Sequence, residues 1–134
     1  MNKNKENLIE YAKVYSEWKD AKKRLIDRMK QVLSSISESK IAELEIQVVD
    51  NDTIKLQIFN FNILVRFTTN VSEDIGRVQW FYINFDLEKQ KTEGKLIFEY
   101  YFDHSGGMYE SQAKPNAICN FEATNFWYFI YQNL

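Results

Sequence analysis

Residues 53–67 read TIKLQIFNFNILVRF, a stretch in which apolar and polar residues alternate. In residues 53–58 every second side chain is apolar, which is typical of a half-buried strand. The phase slips by one residue at Phe59-Asn60, and the alternation resumes over residues 61–67. Such a slip fits a bulge or a tight hairpin turn, and we favour the turn. The stretch therefore predicts two antiparallel strands.

Similar patterns lie on either side of this hairpin. The segment LEIQVVD (44–50) alternates in the same way and is followed by a polar turn at 50–52. The segments VQWFYINFD (78–86) and KLIFEYYFD (95–103) have apolar residues on both faces. Strands of that kind are covered on both faces, so we expect one cover from an N-terminal helix and the other from the C-terminal segment.

The N-terminal third of the chain has a different period. Apolar residues between positions 8 and 36 recur at spacings of three and four, with no Gly or Pro. This predicts an amphipathic helix over residues 4–36. The segment ATNFWYFIYQNL at the C-terminal end of the sequence fits a helical face or a strand, and we favour the helix.

Together these patterns predict an α+β fold in one domain, residues 1–134. A long N-terminal helix (4–36) packs on an antiparallel β-meander of five to six strands (41–111). A short C-terminal helix or strand (117–134) follows.

The predicted helix is longer than the sheet beneath it. Residues 8–36 span about 43 Å at roughly 1.5 Å per residue, whereas an eight-residue strand spans about 27 Å at roughly 3.3 Å per residue. We therefore expect Leu8, Tyr11, Tyr15 and Trp18 to project beyond the sheet. The C-terminal segment, a second copy of the chain or a foreign protein could cover them, and we favour the C-terminal segment.

Composition limits the class of protein. Apolar residues make up 45% of the chain and aromatic residues 16%, which indicates a globular domain. No apolar run reaches the roughly 20 residues of a membrane span, and the start of the sequence is polar, so we expect a cytoplasmic protein without membrane contact.

Charge is distributed unevenly along the sequence. Residues 1–30 carry nine Lys or Arg and five Asp or Glu, a net charge of +4; residues 31–134 carry eight and fourteen, a net charge of −6. The predicted sheet is therefore acidic, and it would repel the phosphates of a nucleic acid. We expect no nucleic acid partner.

The stretch FDHSGGMYES (102–111) contains the one histidine of the sequence. Asp103, His104 and Ser105 stand in the order of a catalytic triad, but triads assemble from distant parts of a chain. Ser105 and the two glycines after it predict a tight turn instead. Cys119 is interpreted as a buried structural thiol. We therefore predict no catalytic residue, no cofactor and no metal site.

The second half of the chain has more aromatic residues than a core of this size requires. Tyrosines keep one polar end and are enriched at binding surfaces. We expect an aromatic groove with an acidic rim that binds a protein partner. Its predicted residues are Asp86, Glu99, Tyr101, Asp103, Tyr109 and Glu110.

These observations favour a non-enzymatic protein-binding module. Its most specific form is a small bacterial immunity (antitoxin-type) protein that binds and neutralises a basic toxin, since opposite charge speeds association. One alternative is a small-ligand binder or an enzyme with a cone-shaped pocket, which requires an enclosed cavity. The other is a chaperone-like homodimer that associates through the N-terminal helix.

Overall fold

A computed structural model describes residues 2–38, 44–50, 52–59, 61–114 and 116–133 of the chain. The ends of the predicted domain, positions 41–43 of the predicted sheet and Asn60 of the predicted turn lie outside the described residues. The elements in chain order are α1 (Asn2–Glu38), β1 (Leu44–Asp50), β2 (Thr53–Ile58), β3 (Phe61–Asn70), β4 (Ile75–Asp86), β5 (Lys91–Phe102), β6 (Gly107–Tyr109), β7 (Cys119–Asn120) and α2 (Phe126–Asn133).

The α+β architecture is confirmed. Within the described residues, seven strands form one antiparallel sheet in the order β1 to β7, so each strand pairs with its neighbours in the chain. Five strands have six to twelve residues, whereas β6 and β7 have three and two. The C-terminal segment contributes β7 as well as the favoured helix, α2.

The phase slip at Phe59 is a hairpin turn. Ile58 pairs with Phe61, which leaves two residues to reverse the chain. Phe59 has a φ of 53°, in the left-handed region that two-residue hairpin turns use. The register across this turn pairs Ile54 with Val65, so the apolar residues of both strands lie on the same face of the sheet.

One face of the sheet packs against α1, and the side chains between them are large. Trp18, Leu25 and Met29 of α1 are fully buried, as are Phe67 of β3 and Trp80 of β4. These residues occupy the space in which an enclosed ligand pocket would lie. We call this side of the sheet the inner face.

The helix α2 packs on the inner face too, which corrects the prediction that the sheet is covered on both sides. The ring of Phe129 in α2 lies 4.8 Å from that of Tyr100. Tyr100 pairs with the buried Val78 and so belongs to the inner face. The two helices bury a common core there, and Phe126 and Ile130 are part of it.

The N-terminal part of α1 does project beyond the sheet. Leu8, Tyr11 and Tyr15 are each more than half exposed. The prediction that α2 covers them is wrong, because α2 is held against β5 and β7. Trp18 was expected in the same exposed group, but it is buried against Phe102 at a ring distance of 5.8 Å.

Candidate functional site on the open face of the sheet

Neither α1 nor α2 packs on the second face of the sheet in the described residues, and we call it the open face. Its side chains follow from the strand register, because residues paired across strands point to the same side. Three rows cross β3, β4 and β5. They are Leu64–Phe81–Leu96, Arg66–Gln79–Glu99 and Thr68–Arg77–Tyr101, and Tyr109 of β6 extends the third row.

A polar network crosses the second and third rows. The Tyr101 hydroxyl donates a hydrogen bond to Glu99 Oε1 at 2.5 Å, and Gln79 Nε2 donates to Glu99 Oε2 at 2.5 Å. The Arg77 guanidinium lies 5.7 Å from the centre of the Tyr101 ring, within cation–π range.

The network changes the acidity of its members. The hydrogen bond from Tyr101, helped by Gln79 and the charge of Arg77, lowers the pKa of Glu99 below its usual value, against the opposing effect of burial. The same hydrogen bond raises the pKa of Tyr101, because it favours the protonated phenol. Glu99 is therefore an anion that neighbouring groups already satisfy.

A second group is built around Asp103 at the end of β5. Its Oδ1 accepts hydrogen bonds from the backbone N–H of Ser105 and of Gly107, both at 2.9 Å, and from the Ser105 hydroxyl at 2.7 Å. Its Oδ2 accepts from the Tyr109 hydroxyl at 2.5 Å. Burial alone would raise the pKa of Asp103, but these hydrogen bonds outweigh it and the pKa is lowered.

The stretch from Asp103 to Gly107 is thus a turn held by its own aspartate. Gly106 has a φ of 106°, which favours glycine. Ser105 donates directly to Asp103, while His104 points elsewhere: its Nδ1 lies 3.9 Å from Asp74 Oδ1. The imidazole ring packs edge-on against Trp18 at 5.5 Å.

Of the six predicted binding residues, four lie close together. Glu99, Tyr101, Asp103 and Tyr109 form the two groups described above on the open face. Glu110 is exposed just after β6. Asp86 ends β4 and pairs with Lys91 at the opposite end of the sheet, and its side chain is outside the described part of the structure.

The sequence prediction missed two members of the site, Arg77 and Gln79. Both sit in β4 directly across from the predicted residues of β5. Aligning the two strands about their hairpin would have brought them together. Because Arg77 lies beside Glu99 and Tyr101, the acidic rim expected from the sequence is partly neutralised in the folded chain.

Cys119 and the acidic side chains are the remaining groups with possible chemistry. Cys119 is buried, as predicted, and burial raises the pKa of its thiol to about 11. In the parts of the chain that are described, no three His, Cys, Asp or Glu side chains are grouped so that they could hold a metal ion. Nor does any helix there combine the length and apolar character needed to cross a bilayer.

Comparison with known proteins adds no further assignment. No family model matches the sequence, and neither a curated protein nor a solved structure matches the chain.

Proposed function

We propose that this chain is a non-enzymatic protein-binding module that holds its partner on the open face. The observation that carries the proposal is the packing of both helices on the inner face. Phe81, Arg77 and Tyr101 are therefore left partly exposed on the open face. Tyrosine and arginine are enriched among the residues that dominate binding energy at protein interfaces.

The open face is ordered before any partner arrives. Tyr101 is held by Glu99, and Tyr109 is held by Asp103. A side chain that is already fixed loses little conformational entropy on binding, so more of the contact energy appears as affinity. The apolar row Leu64–Phe81–Leu96 supplies hydrophobic area next to this polar network.

The specific form we propose is an antitoxin-type immunity protein that acts on a basic toxin in the cytoplasm. Supporting this are the net charge of −6 over residues 31–134 and the exposed carboxylates of Asp50, Asp52 and Asp74 at one end of the sheet. An acidic surface accelerates the capture of a basic protein and disfavours nucleic acid.

The test uses two variants matched in exposure. Leu96 on the open face is 48% exposed and Tyr131 on α2 is 44% exposed. Leu96→Arg should abolish affinity capture of a basic protein from the native lysate, whereas Tyr131→Arg should retain it. Capture that survives Leu96→Arg, or capture of acidic proteins alone, would count against the proposal.

Cell survival tests the immunity role itself. If the captured protein is a toxin, co-expression of the wild-type chain should restore growth, and Leu96→Arg should not. Growth that is restored equally by both chains would show that binding on the open face is not the protective event.

Self-association is a second candidate function, and a separate observation favours it. The side chains of Leu8, Tyr11 and Tyr15 are exposed on the projecting part of α1. Helices contact grooves and other helices through apolar stripes with these spacings. This surface is distinct from the open face, so the two candidates can be tested independently.

A further inference from the structure

The turn over residues 103–107, which we call the Asp103 turn, joins the open face to the helical side of the sheet. On the open face, Asp103 Oδ2 accepts a hydrogen bond from the Tyr109 hydroxyl at 2.5 Å. On the helical side, the His104 carbonyl oxygen accepts a hydrogen bond from Arg24 Nη2 of α1 at 3.0 Å. Because the two contacts belong to consecutive residues, a shift of the backbone at His104 also moves Asp103.

The position of the Asp103 carboxylate depends on the backbone of this turn. Its Oδ1 accepts hydrogen bonds from the N–H groups of Ser105 and Gly107, both at 2.9 Å. The Gly107 carbonyl in turn accepts the N–H of Asp103 at 3.0 Å, which closes the turn. Hydrogen bonds weaken steeply as their angles depart from linear, so these bonds require the turn to keep its conformation. A contact that holds this conformation therefore also holds the Tyr109 hydroxyl.

Arg24 contacts the Asp103 turn at two points. The first is the hydrogen bond to the His104 carbonyl described above. The second is indirect: the Arg24 guanidinium lies 6.0 Å from the centre of the Phe121 ring, within cation–π range. The Phe121 N–H donates a hydrogen bond to the Gly106 carbonyl at 2.9 Å. Both ends of the chain segment between Asp103 and Gly107 are thus tied to one side chain of α1.

Arg24 is itself held in place by charged neighbours. Its Nη1 pairs with Glu122 Oε1 on the segment after β7, and its Nε lies 3.5 Å from Asp20 Oδ2, one turn earlier on α1. A guanidinium presents its donors in a fixed, planar fork, so the contact with Glu122 also fixes the direction of the hydrogen bond to His104. The His104 ring packs against Trp18 at 5.5 Å, which adds an apolar contact between the turn and α1.

We infer that Arg24 is a positioning residue of the open-face site: by holding the Asp103 turn against α1, it fixes the orientation in which Asp103 accepts the Tyr109 hydroxyl. The positioning follows from contacts within the chain, whereas its effect on a partner rests on the proposed function. Arg24 belongs to α1 and not to the open face. Its substitution therefore changes binding there through the turn.

Tyrosinate titration by ultraviolet difference spectroscopy tests the positioning without a partner. The hydrogen bond to Asp103 raises the pKa of Tyr109 above its ordinary value of 10.0. Arg24→Gln should lower this pKa toward 10.0, because a loosened turn weakens that hydrogen bond. Loss of a positive charge alone would have the opposite effect, since a nearby cation stabilises the phenolate. Tyr109→Phe identifies the signal.

Arg28→Gln is the matched control. Arg28 lies one helical turn further along α1 and carries the same charge, but its Nη2 lies 3.5 Å from the Ala123 carbonyl oxygen and does not contact the Asp103 turn. This variant should leave the pKa of Tyr109 unchanged. An unchanged or raised pKa of Tyr109 in Arg24→Gln, or an equal fall in both variants, would overturn the inference.

Amide hydrogen exchange at Gly107 gives a second measure of the turn. Its N–H donates to Asp103 Oδ1, so it should exchange several-fold faster in Arg24→Gln than in the wild type. Arg28→Gln should not change the rate. The comparison separates a local effect from a general loss of stability, since both variants lose a partly exposed arginine of α1. Equal rates in the two variants would contradict the role of Arg24.

Partner binding separates this inference from the proposed function. For a partner captured on the open face, Arg24→Gln should weaken the affinity by about three- to tenfold, and Arg28→Gln should leave it unchanged. Equal affinities, together with a lowered pKa of Tyr109 in Arg24→Gln, would overturn the effect on binding but support the positioning. If no partner is captured, the proposed function fails, and the titration of Tyr109 still decides whether Arg24 holds the turn.

Discussion

The inner and open faces of the sheet are built from alternate residues of the same strands, yet they are stabilised differently. On the inner face, Phe67 and Trp80 are fully buried beneath the helices. On the open face, their neighbours Arg66 and Phe81 keep contact with water. The inner face is fixed by tight packing, whereas the open face is ordered by hydrogen bonds such as that of Tyr101 to Glu99. One face therefore maintains the fold, while the other stays accessible to solvent.

The largest difference between the two faces is expected when one phenylalanine on each is truncated. Phe67→Ala should lower the free energy of unfolding by about 3–5 kcal/mol, because it opens a cavity in a closed core. Phe81→Ala should cost about 1–2 kcal/mol, since part of its ring is already in water. Urea unfolding followed by circular dichroism measures both. Equal losses would mean that the open face is also part of the core.

A second test adds a methyl group to the inner face. Gly76 pairs with Phe102, and a Cβ at Gly76 would clash with the ring of Phe102. Gly76→Ala should destabilise the chain by about 1–3 kcal/mol, because the ring must move within a packed core. Gly94→Ala is the control, since its Cβ would meet only an atom 3.9 Å away.

Acid titration tests the hydrogen bonds around Asp103. Its pKa in the folded chain lies below the ordinary value of 3.8, so the unfolded chain binds the proton more tightly. The resulting stability is fully present above pH 3.8 and is lost as the pH falls through the folded value. Asp103→Asn should therefore lower stability near neutral pH by roughly 1 kcal/mol, allowing for solvent screening of this half-buried group.

The same variant should also flatten the loss of stability in acid. Urea midpoints between pH 5 and pH 2 for both chains provide the measurement. Some acid dependence should remain, because the pKa of Glu99 is lowered as well. Identical slopes for the variant and the wild type would contradict the hydrogen bonding described at Asp103.

The smallest expected effect is a change in the pKa of Tyr101 on the open face. Because the hydrogen bond to Glu99 raises the pKa of Tyr101, Glu99→Gln should lower the pKa of Tyr101 toward the ordinary value of 10.0. Ultraviolet difference titration of tyrosinate, with Tyr101→Phe to identify the signal, measures it. An unchanged Tyr101 signal would mean that the two side chains are not hydrogen-bonded in solution.

Much of the fold could be predicted because it follows from the local periodicity of apolar residues. The spacing of apolar residues over positions 8–36 indicated α1, and the phase slip at Phe59 indicated the first tight hairpin. The packing of both helices on one face of the sheet could not be predicted in this way. Apolar residues on both faces of β4 and β5 indicate burial, but Phe81 and Leu96 are paired with each other and not covered by a helix.

The candidate site was predicted in part. Tyr101 and Tyr109 were identified by residue type, but their carboxylate partners were expected to form an open acidic rim. Whether Glu99 and Asp103 face a ligand or a tyrosine hydroxyl depends on strand register and on the turn after Phe102, which composition does not determine. Arg77 was missed for the same reason, since its neighbour Tyr101 lies on another strand.

Calorimetric titration of the captured partner into the two arginine variants determines which side of the sheet binds it. If the partner binds on the open face, Leu96→Arg should weaken its affinity by about thirtyfold or more, and Tyr131→Arg should leave it within about twofold of the wild type. Unchanged affinity in Leu96→Arg, together with loss of binding in Tyr131→Arg, would place the partner on the helical side and contradict binding on the open face.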